Sequence, residues 1–173
     1  MKMTDFTAAL VTLFGTAAIA DEPTIQSPAP VIHLADTLDE TDALGWCIDT
    51  LGRGWSEQIQ SHSCKPQGGD TQFRFDEATG AIQPVAFDGK CVALRAPDHA
   101  NVPFGLLDCD PGADNQAFAF DEASMEFRLA GDPSQCVVVS ETRRSAGPFM
   151  SRDLLVKPCG DVKAQFKQGV IRE

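Results

Sequence analysis

The sequence predicts an all-β domain built from three copies of one unit and closed around a pseudo-threefold axis. Three observations predict it. The segment DTQFRFDEA at 70–78 returns as DNQAFAFDEA at 114–123, and KAQFKQ around Phe166 is a worn third copy. Six cysteines fall into three pairs whose first members, Cys47, Cys91 and Cys136, recur every 44 or 45 residues. Between these markers the chain breaks into short alternating or β-branched runs separated by turn residues. Independent markers sharing one period indicate internal repetition. A single unit of about four strands cannot bury its apolar face alone, whereas three around an axis can, and closure removes exposed sheet edges.

The elements follow in chain order. Residues 6–20, FTAALVTLFGTAAIA, are an apolar run ending in Ala18-Ile19-Ala20, behind Lys2. Small residues before a cut, after a run too short to span a bilayer, read as a cleaved signal peptide over residues 1–20. The expected location is therefore secreted or periplasmic. DEPTIQSPAP, 21–30, reads as a disordered lead-in. The repeated domain then covers 31–173, with units at about 31–79, 80–123 and 124–173. Each unit opens on a strand: VIHLA, AIQPVAF or EFRLA. The strand with the first cysteine follows: CIDTL, CVALR or CVVVS. A third strand leads to the second cysteine: SEQIQSHSC, PFGLLDC or DLLVKPC. The Phe strand closes the unit, with residues two apart on one face. About twelve short strands result, and no helix is expected after residue 20. The third unit carries extra residues between its cysteines, where ETRRSAGPFMSRD reads as an enlarged loop.

Six cysteines behind a secretory signal read as three disulfides in an oxidising compartment, and no close C-x-x-C pair suggests zinc. The net charge of −11 makes nucleic acid and anionic membrane surfaces poor partners, and no further apolar segment suggests membrane insertion. No H-E-x-x-H, G-x-S-x-G or phosphate-binding glycine loop is present, so neither an enzyme nor a cofactor is implied.

The paired cysteines, NQAF at 115–118 and the FxFD strands together resemble the ricin-type β-trefoil lectins. The resemblance covers roughly 31–173. It implies a β-trefoil with disulfides Cys47–Cys64, Cys91–Cys109 and Cys136–Cys159. It also implies that Phe73, Phe118 and Phe166 stand where the family has Trp, buried at equivalent positions about the axis. The family's Gln, which holds a loop, survives only as Gln116; Thr71 and Ala164 take its place in the other units.

In such lectins an Asp two residues after the first cysteine accepts sugar hydroxyls, polar groups on the next strand complete the ring, and an aromatic face stacks on the sugar. The first unit keeps this pattern as Asp49, expected at the surface, with Gln60 and His62, while Asp70 replaces the family's Asn three before the Phe and loses a donor there. His62 takes the platform position, and Trp55 is a second candidate platform. The second unit has Ala93, Gly105 and Leu107 at these positions, and the third has Val138, Leu155 and Lys157; neither set can read a sugar. The expected function is a lectin-like carbohydrate-binding module with at most one retained site, its partner a weakly held glycan or glycoprotein. The alternative is a protein-interaction trefoil, a toxin-targeting subunit or inhibitor-like protein. Its candidate surface is the loop from Glu141 to Asp153, with Arg143, Arg144, Phe149, Met150 and Arg152. Trp46, His33 and His99 read as structural.

Overall fold

The structure, a computed structural model, describes residues 21–38, 40–52, 54–66, 70–95 and 103–173. Residues 1–20, expected to be a signal peptide, and His99 lie outside the described residues. Twelve strands are described. The first unit holds β1 (Val31–Leu34), β2 (Trp46–Thr50), β3 (Ile59–Ser63) and β4 (Phe73–Asp76). The second holds β5 (Ala81–Pro84), β6 (Lys90–Leu94), β7 (Phe104–Asp108) and β8 (Phe118–Asp121). The third holds β9 (Glu126–Leu129), β10 (Asp132–Ala146), β11 (Phe149–Pro158) and β12 (Gly169–Arg172). The described helical pieces are three 3-10 turns, at Asp114–Gln116, Cys159–Asp161 and Ala164–Phe166.

Two kinds of antiparallel hairpin alternate. Within the units, β2 pairs with β3, β6 with β7 and β10 with β11. Between units, β4 pairs with β5, β8 with β9, and β12 returns to β1 to close the ring. This is a β-trefoil. The disulfides join Cys47 to Cys64, Cys91 to Cys109 and Cys136 to Cys159, with Cα atoms 5.0–5.1 Å apart, and clamp the within-unit hairpins. One core runs along the axis, built from Ile32, Trp46, Phe73, Ile82, Phe104, Phe118 and Phe127 among others.

The threefold relation is written in the backbone. Val85 N–H donates to Gln72 O, Ala130 N–H to Ala117 O, and Ala35 N–H to Gln168 O. The next residues, Phe73, Phe118 and Gly169, are therefore equivalent, and the expected place of Phe166 is corrected. Phe73 and Phe118 are fully buried. Phe166 rides on its 3-10 turn, only partly buried, and packs against the core from the side. The turn ends two residues before Phe118 in the second unit but three before Gly169 in the third, so the ring falls out of register. Phe127 closes over the vacated position: a Cβ on Gly169 would lie 3.2 Å from its ring.

Two other expectations are corrected. The lead-in is ordered along the first unit. Thr24 N–H donates to Ala43 O, Gln26 and Ser27 N–H both donate to Cys64 O, and Ile25 packs on the Val31–Cys47–Cys64 cluster. Polar composition suggested disorder, but backbone pairing along the first unit and one partly buried isoleucine hold the segment. The enlarged third-unit loop is a β-hairpin extension, because β10 and β11 continue their ladder through Arg143↔Arg152 to Ala146↔Phe149. Its far strand crosses to the first unit and pairs with β3 through Ser151↔His62 and Arg152↔Ser61.

Candidate functional site

An open cleft of about 850 Å³ lies between the first-unit hairpin β2–β3 and the tip of the third-unit hairpin β10–β11. One wall carries Gln60, His62, Lys65 and Asp70; the other runs from Arg144 through Gly147 to Phe149, with Ser151. Ladder register explains the first wall. Asp49 faces Gln60 and Cys47 faces His62 across β2–β3, so alternation sends Asp49, Gln60 and His62 to linked positions.

Asp49 is not at the surface. Its side chain is fully buried, and Lys65 Nζ lies 3.0 Å from Oδ2 and 3.3 Å from Asp70 Oδ2. Lys65, directly after Cys64, thus lies over the carboxylate that was expected to meet solvent. Burial pushes the Asp49 carboxyl up to about 7, against the pull of Lys65 and with the push of Asp70. Both Asp49 Oδ1 and Asp70 Oδ1 are buried without a hydrogen-bond partner among the described residues. Such oxygens are costly to leave unpaired, and that of Asp70, which lines the cleft, marks where a donor belongs.

His62 is buried and lines the cleft. Its Nδ1 is 2.9 Å from Ser63 O. A carbonyl can only accept, so Nδ1 carries the proton and Nε2 of the neutral ring is an acceptor. Burial lowers the His62 pKa and keeps the ring neutral. Gln60 is spoken for within the protein: its Oε1 accepts from Arg144 Nη2 at 3.1 Å and its Nε2 lies 3.5 Å from Thr50 O. Asp70 also joins the backbone, accepting from Thr50 N–H. Ser27 Oγ donates to Lys65 O, while Thr71 Oγ1 donates to Ser27 Oγ, so the lead-in props the site from behind.

Trp55 is not in the cleft. Gly52 and Gly54, both at positive φ, turn its loop toward the second unit. There the indole meets the Phe87 ring edge-on at 5.2 Å and lies under Lys90 Nζ. The aromatic ring that does face the cleft is Phe149, whose ring sits edge-on to His62 at 5.8 Å.

The third-unit arginines are matched internally. Glu40 accepts from Arg143 and from the buried Arg152, the latter at 2.8 Å. Arg152 also lies over the Trp46 ring, and Arg144 pairs with Asp153. Trp46 packs as expected, its indole N–H donating to Thr37 O. Buried His33 is bonded to Leu34 O. Gln116 holds its loop, accepting from Asp110 N–H and donating to Asp108 O.

Sequence reasoning brought together Asp49, Gln60, His62 and Asp70, missed Lys65, and set Arg144 and Phe149 on a separate interaction surface rather than across from them. The sign for Lys65 was present: a lysine adjoining a cysteine in an acidic chain, beside two aspartates in need of a cation. That the two face each other had no local sign, because β11 reaches β3 from the third unit.

The family model for the ricin-type beta-trefoil lectin domain matches residues 37–167. No curated protein matches the chain. Among solved structures, the chain is similar to the C-terminal half of an earthworm R-type lectin in complex with GalNAc, at 13% identity and TM-score 0.56, covering 83% of this chain and 98% of that one. A mutant of an earthworm lectin C-terminal domain, solved with 6'-sialyllactose, matches at 11% identity and TM-score 0.54, over 83% of this chain and 98% of the other. GalNAc-T7, solved with UDP, GalNAc and Mn2+, matches at 14% identity and TM-score 0.56; 88% of this chain is covered but only 23% of GalNAc-T7. These likenesses show the shared fold.

Proposed function

The chain belongs to the ricin-type beta-trefoil lectin domain family, and from that premise we propose that it is a secreted carbohydrate-binding module with one glycan site, the first-unit cleft. The observation that carries this is the unpaired, buried Asp70 Oδ1 in a cleft that also offers the His62 acceptor nitrogen and the Phe149 ring. Vicinal hydroxyls need fixed acceptors, and the C–H face of a sugar needs an apolar plane. Asp49 acts from beneath, positioning Lys65. Gln60 positions Arg144. Binding without catalysis is the reading that membership of a lectin domain family supports. The structural relatives were solved with GalNAc or 6'-sialyllactose, which supports a glycan ligand. A protein partner at Glu141–Asp153 is the less supported reading, because Arg143, Arg144 and Arg152 already have carboxylate partners.

Affinity for a simple sugar should be weak, on the order of millimolar to high micromolar, because hydroxyl contacts gain little over water. Titration of isotope-labelled protein with galactose- and xylose-type sugars should move the signals of His62, Asp70 and Phe149. Shifts centred on Trp55 and Phe87 instead would overturn the assignment of the cleft.

A further inference from the structure

The far wall of the cleft belongs to another unit, and it is firmly held there. Met150 N–H donates to Ser63 Oγ at 3.2 Å. Ser151 and Arg152 pair with β3, and Arg152 is tied to Glu40 from the segment between β1 and β2. The tip, Arg144 to Phe149, therefore stands as a fixed wall opposite Lys65 and Asp70.

Size, apolar surface and charge bear on the ligand. A cleft of about 850 Å³ lies toward the upper end of the roughly 300–1,000 Å³ typical of small-molecule sites, well beyond one hexose ring. The first unit presents no free aromatic plane to the cleft: His62 is buried and Trp55 faces the second unit. Phe149 is the phenyl plane on the wall. Among the described residues, each cation on the walls is matched by carboxylate, Lys65 by Asp49 and Asp70 and Arg144 by Asp153. No positive charge is left over there for an acidic sugar.

We propose that the site is composite. Phe149, supplied by the third unit, is its specificity-determining platform, and its ligand is an uncharged oligosaccharide of two or more sugars spanning both walls. One sugar is held by Asp70 and His62 while a neighbour stacks on Phe149. This rests on the glycan reading above and deepens it with a specificity role for Phe149, a length and a charge that the reading does not require.

The test is a glycan array of single sugars, neutral oligosaccharides and their sialylated or uronic counterparts, probed with the oxidised full chain and with Phe149→Ala and Phe149→Tyr. The proposal expects the strongest signal on neutral oligosaccharides. It expects a loss of roughly ten-fold in apparent affinity for Phe149→Ala, the scale of one aromatic contact, and retention in Phe149→Tyr. Thermal melts of both variants show whether the hairpin is still folded, and a Phe149→Ala loss with an unchanged melt is the supporting result. Equal binding of single sugars, binding indifferent to Phe149→Ala, or signal confined to acidic glycans would overturn the composite site while leaving the lectin reading intact. Silence across the whole array with wild-type protein would remove the lectin reading itself.

Discussion

In the first unit Asp49 faces Gln60 across the within-unit hairpin; in the second, Ala93 faces Gly105. Strands, register and disulfide are the same, yet at this position the first hairpin lines a cleft and the second is covered. In both cases a neighbouring segment lies against the second strand. Over β3 it is the third-unit hairpin, which stands off and leaves room. Over β7 it is Glu57–Gln58, which fits flush: Gln58 bridges Gly105, and Leu106 N–H donates to Glu57 O. Arg95 then lies across Gly105, bonded to Glu57; a Cβ at that glycine would fall 2.1 Å from the Arg95 Nε. The repeated unit thus supplies a frame, and the neighbour decides whether the frame becomes a site. The third unit places the buried Val138 opposite the partly buried Leu155 there.

The largest expected effect comes from making the first unit lose its overhang. Glu40→Ala leaves the buried Arg152 guanidinium unpaired. Breaking a buried pair by removing one partner costs about 3–5 kcal/mol, and glycan binding should fall with it. Urea unfolding reads the first effect and the array the second; a silent Glu40→Ala would show that the hairpin needs no anchor.

Asp49→Ala sharpens the contrast from beneath. It strips a carboxylate from Lys65 inside the protein and should cost about 1–3 kcal/mol, whereas a residue facing solvent would cost almost nothing. Equilibrium unfolding separates the two outcomes.

Acidity gives a smaller, differential effect. The native Asp49 carboxyl, raised to about 7, holds a proton between its ordinary value and 7 that the unfolded chain does not. Native binding of the extra proton means that this contribution to stability grows as pH falls through that window. His62 and His33, both lowered by burial, act in the opposite sense below their ordinary value of 6.5, because the unfolded chain takes up protons first. Comparing wild type with Asp49→Asn cancels His33, and the same comparison made with His62→Gln in both chains removes His62, which lies 3.8 Å from Asp49. The wild type should gain Tm relative to the variant as pH goes from 8 to 5, and a constant difference would contradict the raised carboxyl.

The smallest expected effect is at Trp55. Its indole is 45% exposed on the second-unit side, so Trp55→Ala should leave glycan binding unchanged and stability within about 0.5–1 kcal/mol, the range of surface substitutions and single ring contacts. A loss of binding would move the site out of the cleft.

What could be read from the sequence follows one physical division. The units, strands and cysteine pairs repeat at one period, so they were legible. Within β2–β3, Asp49, Gln60 and His62 were legible because strand alternation is local. Burial of Asp49 was not, since it depends on Lys65 folding back over it. Phe166 misled because a ring next to the right motif is displaced by one residue of turn, which only the hydrogen bond from Ala35 to Gln168 reveals. Trp55 misled for a related reason: two glycines at positive φ steer its loop, and composition does not give their direction. The extended hairpin looked like a loop because arginine, serine and glycine are poor strand residues, and its ladder is supported by partners far away.

The contact between Glu40 and Arg152 joins residues 112 apart in the chain. Contacts of such separation form late, after the entropy of closing the intervening chain has been overcome. A chain emerging stepwise during synthesis can complete the β2–β3 hairpin and its disulfide long before β11 exists. The binding face would be the last part of the molecule to take shape. Recognition at the proposed site then reports on the whole chain: a product truncated after the first unit but before the third hairpin keeps Asp70 and His62 and has only half a cleft to offer.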